Sequence, residues 1–256
     1  MTLLQFARLK FISFILLLAL ATVAVGGCAK KPYLSSATNV DQAYEECHAL
    51  SEKKDYDEAN ECFEVLKSRF SGSRASYEAD LEIGDNYFRK KEYLLAAETY
   101  LAFAKLHPAH EKIDYAYYRI GLSYLRESPR PVDRDQQHLE DALYYLELAL
   151  SNPRSSVADV AKEKLMEVRT RIAKRHFYIG RFYWRTGEYL SAIPRFQEVV
   201  THYSGLGLDE KSLYLMGRSY LGLSKKDKAL DMLSVFEQHF PESPYRKRLA
   251  KKIGVQ

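Results

Sequence analysis

The 256-residue chain contains no HExxH pair, no paired CxxC, no phosphate-cradling GxxxxGKS/T loop, no GxSxG elbow and no GxGxxG fingerprint. These absences remove the usual sequence marks of zinc peptidases, zinc ribbons, P-loop nucleotidases, α/β hydrolases and dinucleotide enzymes. Seven histidines are present, but His107 and His110 straddle Pro108 and so do not share a helix face. Neither a metal nor a cofactor is expected, and the chain reads as a non-enzyme. Charge of one sign is also scarce, with a net formal charge of +4. The chain therefore has no general pull on a polyanion, and no nucleic-acid partner is expected. Cysteine is limited to three residues.

Long hydrophobic runs are limited to one. Arg8 and Lys10 precede an uncharged, mostly apolar stretch at residues 11–25, followed by Gly26-Gly27-Cys28. As a helix that stretch rises only about 22 Å, short of the roughly 30 Å hydrocarbon core. It reads as a signal peptide, residues 1–27, with the n-region, h-region and small-residue order satisfied. Small residues directly before a cysteine resemble the bacterial lipobox, which makes Cys28 the expected lipid attachment and new N-terminus. Ala29 rather than Asp after it resembles the sorting signal for the outer membrane. Loss of residues 1–27 takes away Arg8 and Lys10 and no acid, leaving 36 basic against 34 acidic residues. Residues 28–40, with Lys30, Lys31, Pro32 and a Ser/Thr cluster, show no apolar period and are expected to form a lipidated tether.

What is present is repetition. Gly84/Tyr87, Gly121/Tyr124, Gly180/Tyr183 and Gly217/Tyr220 each space a glycine and a tyrosine by three residues. The first two glycines are 37 residues apart, as are the last two, and 37 residues before Gly84 stands Cys47. A second series, Ala59, Ala96, Ala142, Ala192 and Ala229, is followed four residues later by Phe63, Tyr100, Leu146, Phe196 or Leu233, and seven later by another apolar residue. Positions i, i+4 and i+7 share one helix face. Pro108, Pro153 and Pro241 stop three of these helices, because proline cannot donate to the preceding turn.

A small residue on the first helix, alanine on the second, a large residue one turn later and a closing proline form the tetratricopeptide (TPR) pattern. The expected fold is an all-α solenoid of about five helical hairpins, near residues 41–71, 77–108, 114–153, 175–204 and 209–241. The close approach is expected where the small residue on the first helix faces the alanine on the second. Residues 41–153 hold repeats 1–3; residues 154–256 hold a connecting helix, repeats 4–5 and a capping helix opened by Ser243-Pro244. The basic run Arg246, Lys247, Arg248, Lys251 and Lys252 suits that helix's solvated C-terminal end. Cys47 and Cys62 fall on facing helices of the first hairpin, where either a disulfide or two buried free thiols is consistent with the spacing.

TPR arrays line a concave face with first-helix residues near the small position. Here those positions include Tyr44, Phe88, Tyr115 and Tyr118, with Arg89 and Arg126 beside them, and Arg181, Trp184, Tyr214 and Arg218, with Arg185 beside them. Aromatics interleaved with arginine suit a peptide bearing apolar side chains and a carboxylate. Packing between repeats competes as the role of each ring, since twenty tyrosines cannot all face a ligand.

The run His107-Pro108-Ala109-His110 through Ile113-Asp114-Tyr115, Tyr118 and Gly121-Leu122 resembles the HPxHxxIDYxxYxxGL segment of the BamD (ComL) family, lipoproteins of the bacterial β-barrel assembly machinery. Asp133-Arg134-Asp135 with Gln137-His138, and Ile179-Gly180-Arg181-Phe182-Tyr183 through Arg195-Phe196, are similar to further stretches of that family. The resemblance implies a scaffold on the periplasmic face of the outer membrane. Its N-terminal repeats would receive unfolded outer-membrane proteins, and its C-terminal repeats would contact the periplasmic domains of a BamA-like barrel subunit. Tyr44, Phe88, Arg89, Tyr115, Tyr118 and Arg126 then belong to the substrate groove. Arg181, Trp184, Arg185, Arg195, Tyr214 and Arg218 belong to the partner-subunit surface. His176 stands where many members carry Glu, which reverses or removes a charge near that surface. The competing expectation is a TPR lipoprotein that coordinates envelope or peptidoglycan enzymes.

Overall fold

The computed structural model describes residues 33–132 and 134–255. The expected signal peptide, Cys28 and Asp133 lie outside the described residues. Among those described there are eleven helices and no strand: α1 Val40–Glu52, α2 Tyr56–Arg69, α3 Arg74–Arg89, α4 Tyr93–Leu106, α5 Ile113–Glu127, α6 His138–Ala149, α7 Ala158–Arg185, α8 Tyr189–His202, α9 Asp209–Gly222, α10 Lys226–His239 and α11 Pro244–Ile253. Each helix packs on its neighbour in the chain, and α1 also touches α3, α5 touches α7, α7 touches α9, and α9 touches α11. Contacts of that kind, confined to adjacent units, make the all-α TPR-type array expected from the 37-residue spacing. No helix of the described residues is long and apolar enough to cross a membrane.

Local chemistry explains where the helices begin and how the hairpins close. The Asn39 side chain accepts from Gln42 N at 2.9 Å and Ser73 Oγ from Ser76 N at 3.1 Å, satisfying donors that a first turn leaves free. Four of the five hairpins then close through one short turn. Its left-handed residue is Lys54, Lys91, Gly187 or Ser224, at φ 68°, 66°, 83° and 57°. The tyrosines of the Gly-x-x-Tyr motif sit at these closures: Tyr87 O, Tyr183 O and Tyr220 O accept from Glu92 N, Glu188 N and Lys225 N. The third hairpin is instead joined by residues 128–137. There Gln136, buried, donates to Pro131 O at 2.9 Å, and Arg171 from α7 donates to Ser128 O at 3.2 Å and Pro129 O at 2.5 Å. The stretch from 158 does run unbroken into the first helix of the fourth repeat, as the 28-residue α7.

The helix glycines are needed for close approach, but the partner differs from the expected alanine. A Cβ on Gly84 would lie 2.6 Å from the Tyr100 ring, and one on Gly180 2.8 Å from Phe196, both large residues one turn past the alanine. In the last hairpin the partner changes again: Gly217 is opposed at 2.8 Å by Leu249 of α11, because the capping helix packs across α9. Gly84→Leu is expected to cost about 1–3 kcal/mol by overpacking, checked by urea denaturation against the parent. A cost under about 0.5 kcal/mol would mean that Tyr100 swings clear at no penalty.

Cys47 takes the glycine's place in the first repeat and is bonded to Cys62, with the Cα atoms 5.3 Å apart and both side chains buried. Residues 33–39, part of the stretch expected as a tether, pack against this hairpin. Leu34 is fully buried and Ala37 nearly so. Arg69 Nη1 donates to Leu34 O at 2.6 Å and Nη2 to Ala37 O at 3.2 Å, while Glu46 accepts from Leu34 N at 3.2 Å. Leu34 and Ala37 supply the apolar contact that the low periodicity of this stretch concealed.

Candidate functional site

The first-helix residues nominated from spacing divide into three settings. At the junction of repeats 2 and 3, α3 contributes Asp85 and Phe88, α4 contributes Tyr100, and α5 contributes Tyr115 and Arg119. Arg119 Nη2 pairs with Asp85 Oδ1 at 2.8 Å, its Nε donates to Tyr100 Oη at 2.9 Å, and its guanidinium carbon lies 4.1 Å from the Phe88 ring centre. Tyr115 Oη donates to Asp85 at 2.8 Å, and Tyr100 Oη donates to the same carboxylate. Both charged side chains are only 14% exposed. Burial first, then the Asp85 charge, pushes the Tyr100 and Tyr115 hydroxyls well above the usual tyrosine range, so both stay protonated and serve as donors. Burial opposes the charge on Arg119, and Tyr100, Asp85 and Tyr115 together outweigh it.

Phe88 and Tyr115 are therefore brought together, around an arginine the spacing did not nominate. Arg119 lies two residues before Gly121, outside the positions taken as groove-lining. Only the three-dimensional placement of Asp85 marks it. The sequence does hold the carboxylate, one residue past Gly84. Tyr118 is half-buried against the neighbouring core, Arg89 Nη1 donates to Asn86 Oδ1 at 3.2 Å, and both Arg89 and Arg126 are exposed. Tyr44 stands apart in the first repeat. Its hydroxyl donates to Glu82 at 2.9 Å, its ring meets Phe63 edge-on at 5.7 Å, and burial followed by the Glu82 charge raises its pKa.

The six C-terminal nominees lie on α7, α8 and α9. Arg218 links the fourth and fifth repeats, lying 5.5 Å from the Trp184 ring centre and donating to Tyr214 Oη at 3.1 Å, while Tyr214 packs on Tyr245 of α11. Arg181 and Arg185 are on α7. With Tyr178, Phe182 and Thr186 they bound an open depression of about 450 Å³ on α7. Arg195 is exposed on α8, where it adds to burial in holding His176 below its ordinary pKa. The neutral form of His176 is thereby favoured. Among the described residues no group of three or more His, Cys, Asp or Glu is placed to hold a metal ion.

Residues 36–232 match the model of the YfiO family, described as outer membrane lipoproteins. The chain belongs to this family, which includes BamD. The outer membrane protein assembly factor BamD of Rickettsia prowazekii is 30% identical over 247 residues, covering 94% of this chain and 97% of that one. The BamD of Neisseria meningitidis serogroup B is 28% identical over 242 residues, covering 90% and 91%. A third BamD, from Vibrio cholerae, is 25% identical over 218 residues, with 81% and 90% covered. The YfiO match takes in the docked residues 36–39, the Asp85–Arg119 cluster and the exposed face of α7, and it ends before α11.

Proposed function

We propose that this chain is a non-catalytic scaffold for outer membrane protein assembly, anchored by acylated Cys28 and facing the periplasm. Its N-terminal repeats receive unfolded barrel proteins, and its C-terminal repeats bind the central BamA-like subunit through its periplasmic domains. The observation carrying this is family membership across nearly the whole folded chain, with relatives named as outer membrane protein assembly factors. The lipobox before Cys28 supports the anchor. The division of labour rests on the two settings described above: half-buried aromatics flanked by the exposed Arg89 and Arg126 in repeats 2 and 3, and a separate arginine-rich face in repeats 4 and 5.

Depletion is expected to lower folded outer-membrane barrel proteins while leaving their export intact, measured by heat-modifiable mobility of barrels in isolated membranes. Unchanged barrel levels would sink the proposal. Recovery of murein enzymes instead of a barrel subunit, on purification from solubilised membranes, would favour the envelope-enzyme alternative. For the groove, Tyr118→Ala with Arg126→Ala should weaken binding of a C-terminal barrel peptide about tenfold or more without unfolding the array, as circular dichroism would show. Equal affinity would return these residues to packing.

A further inference from the structure

Among the described residues, nothing covers the outward face of α7. Tyr178, Arg181, Phe182 and Arg185 stand at i, i+3, i+4 and i+7, which places them on one face of the helix. The opposite face is committed to the core, with Phe177 buried and Gly180 pressed against Phe196. Yet the Tyr178 and Phe182 rings remain 45% and 57% exposed over the 450 Å³ depression. Large rings left in solvent beside a concavity are the usual mark of an interface.

The charge beside them is equally unpartnered. Some arginines of the array are engaged, Arg119 by Asp85, Arg171 by loop carbonyls and Arg218 by Trp184 and Tyr214. Among the described residues, neither Arg181 nor Arg185 is bonded to an acid, a carbonyl or a ring. A cation in the last helical turn is favoured by the helix dipole, which accounts for Arg185 alone. It accounts neither for Arg181 a turn earlier nor for the two rings.

We infer that this face docks an extended acidic segment of a partner protein, with carboxylates at alternate positions and a large apolar side chain two residues further on. Arg181 and Arg185 are one helical turn apart, about 6 Å along the axis. Alternate side chains of an extended chain are separated by about 6.6 Å and point the same way, so two carboxylates can meet the two guanidinium forks while the chain crosses Phe182 and the apolar residue, one step beyond Arg181, packs on Tyr178. The inference rests on the reading of the C-terminal repeats as a partner surface and supplies the chemistry of that partner.

The probe is a fluorescent peptide, Ser-Glu-Thr-Glu-Thr-Phe-Ser, titrated by anisotropy with the full lipidated chain in detergent. The control peptide replaces both Glu by Gln. The parent is expected to bind the acidic peptide at least fivefold more tightly than the Gln peptide, with the preference falling as salt is raised. Arg181→Glu with Arg185→Glu should abolish the preference and favour a Lys-containing version of the peptide. Phe182→Ala should weaken both acidic and Gln peptides, with circular dichroism and melting unchanged in each variant. Equal binding of the two peptides by the parent, or an unaltered preference in the charge-reversed variant, overturns the inference. So does loss of binding to vesicles of phosphatidylglycerol without loss of the peptide, which would make the face a lipid surface. Purification of the charge-reversed chain from solubilised membranes separates the two levels. If a barrel subunit is recovered undiminished, this inference falls and the scaffold reading stands; if the parent itself recovers none, the scaffold reading falls.

Discussion

Arg119→Ala is expected to destabilise the array by about 3 kcal/mol or more, because it strands the Asp85 carboxylate between two phenols in a site from which water is largely excluded. The two partners are each 14% exposed, so most of the penalty for an uncompensated charge applies. Asp85→Asn should cost less, since the amide still accepts from Tyr115 and Tyr100 while the guanidinium keeps its contact with the Phe88 ring. Combining Asp85→Asn with Arg119→Met should cost less than the sum of the single changes, by at least about 1 kcal/mol, because the double variant leaves no unpaired charge. Urea unfolding of the four proteins forms the cycle. Additive values, or a single-variant cost below about 1 kcal/mol, would show that the pair is well solvated in solution and does not organise the junction of repeats 2 and 3. The same cluster bears on the groove, since Phe88 and Tyr115 hold their orientation through it.

Breaking the Cys47–Cys62 bond is the second large effect expected. The two residues are 15 apart in the chain, and a cross-link of that length restricts the unfolded state by about 3 kcal/mol in the loop-entropy account. The consequence should be local. Among the described residues the first hairpin is the first unit of the array, with a neighbouring hairpin on one side, and in a linear repeat protein such a unit opens independently. Cys47→Ala with Cys62→Ala should therefore raise amide exchange across α1 and α2 and the docked residues 33–39, while leaving α9 and α10 unchanged. Exchange that is unaltered in α1 and α2 would mean that Phe63, Leu66 and the buried Leu34 suffice to hold the hairpin. Because both sulfurs are buried, a reductant should act only as fast as this hairpin opens.

Much of the architecture could be read from periodicity. The 37-residue spacing within the pairs Gly84/Gly121 and Gly180/Gly217, the alanine series and the three closing prolines place the hairpins within a few residues of their observed ends, because each reflects one local requirement: close helix approach, a buried stripe, or a blocked turn. The family resemblance was likewise carried by residues on the page, including the interruption between Gly121 and Gly180. The docking of residues 33–39 was not legible. It depends on two apolar residues and on Arg69, a residue 35 positions along the chain from Leu34.

The site was legible by residue type and not by grouping. Spacing nominated Phe88 and Tyr115 but missed Arg119, and it did not show that Arg218 bridges Trp184 and Tyr214. A period records which residues share a helix face. It does not record how successive hairpins are rotated, and that rotation decides which faces meet.

The amino-acid sequence by itself determined the repeat number, the helical class, the expected anchor at Cys28 and the family, since these rest on local spacing and short motifs. Tertiary structure alone decided that Cys47 bonds Cys62, that Gly217 yields to Leu249 rather than to its own hairpin partner, that Asp85 occupies Arg119, and that Arg181 and Arg185 take no partner among the described residues. Each of these depends on distances between side chains far apart in sequence, and those distances are set by how one hairpin packs on the next.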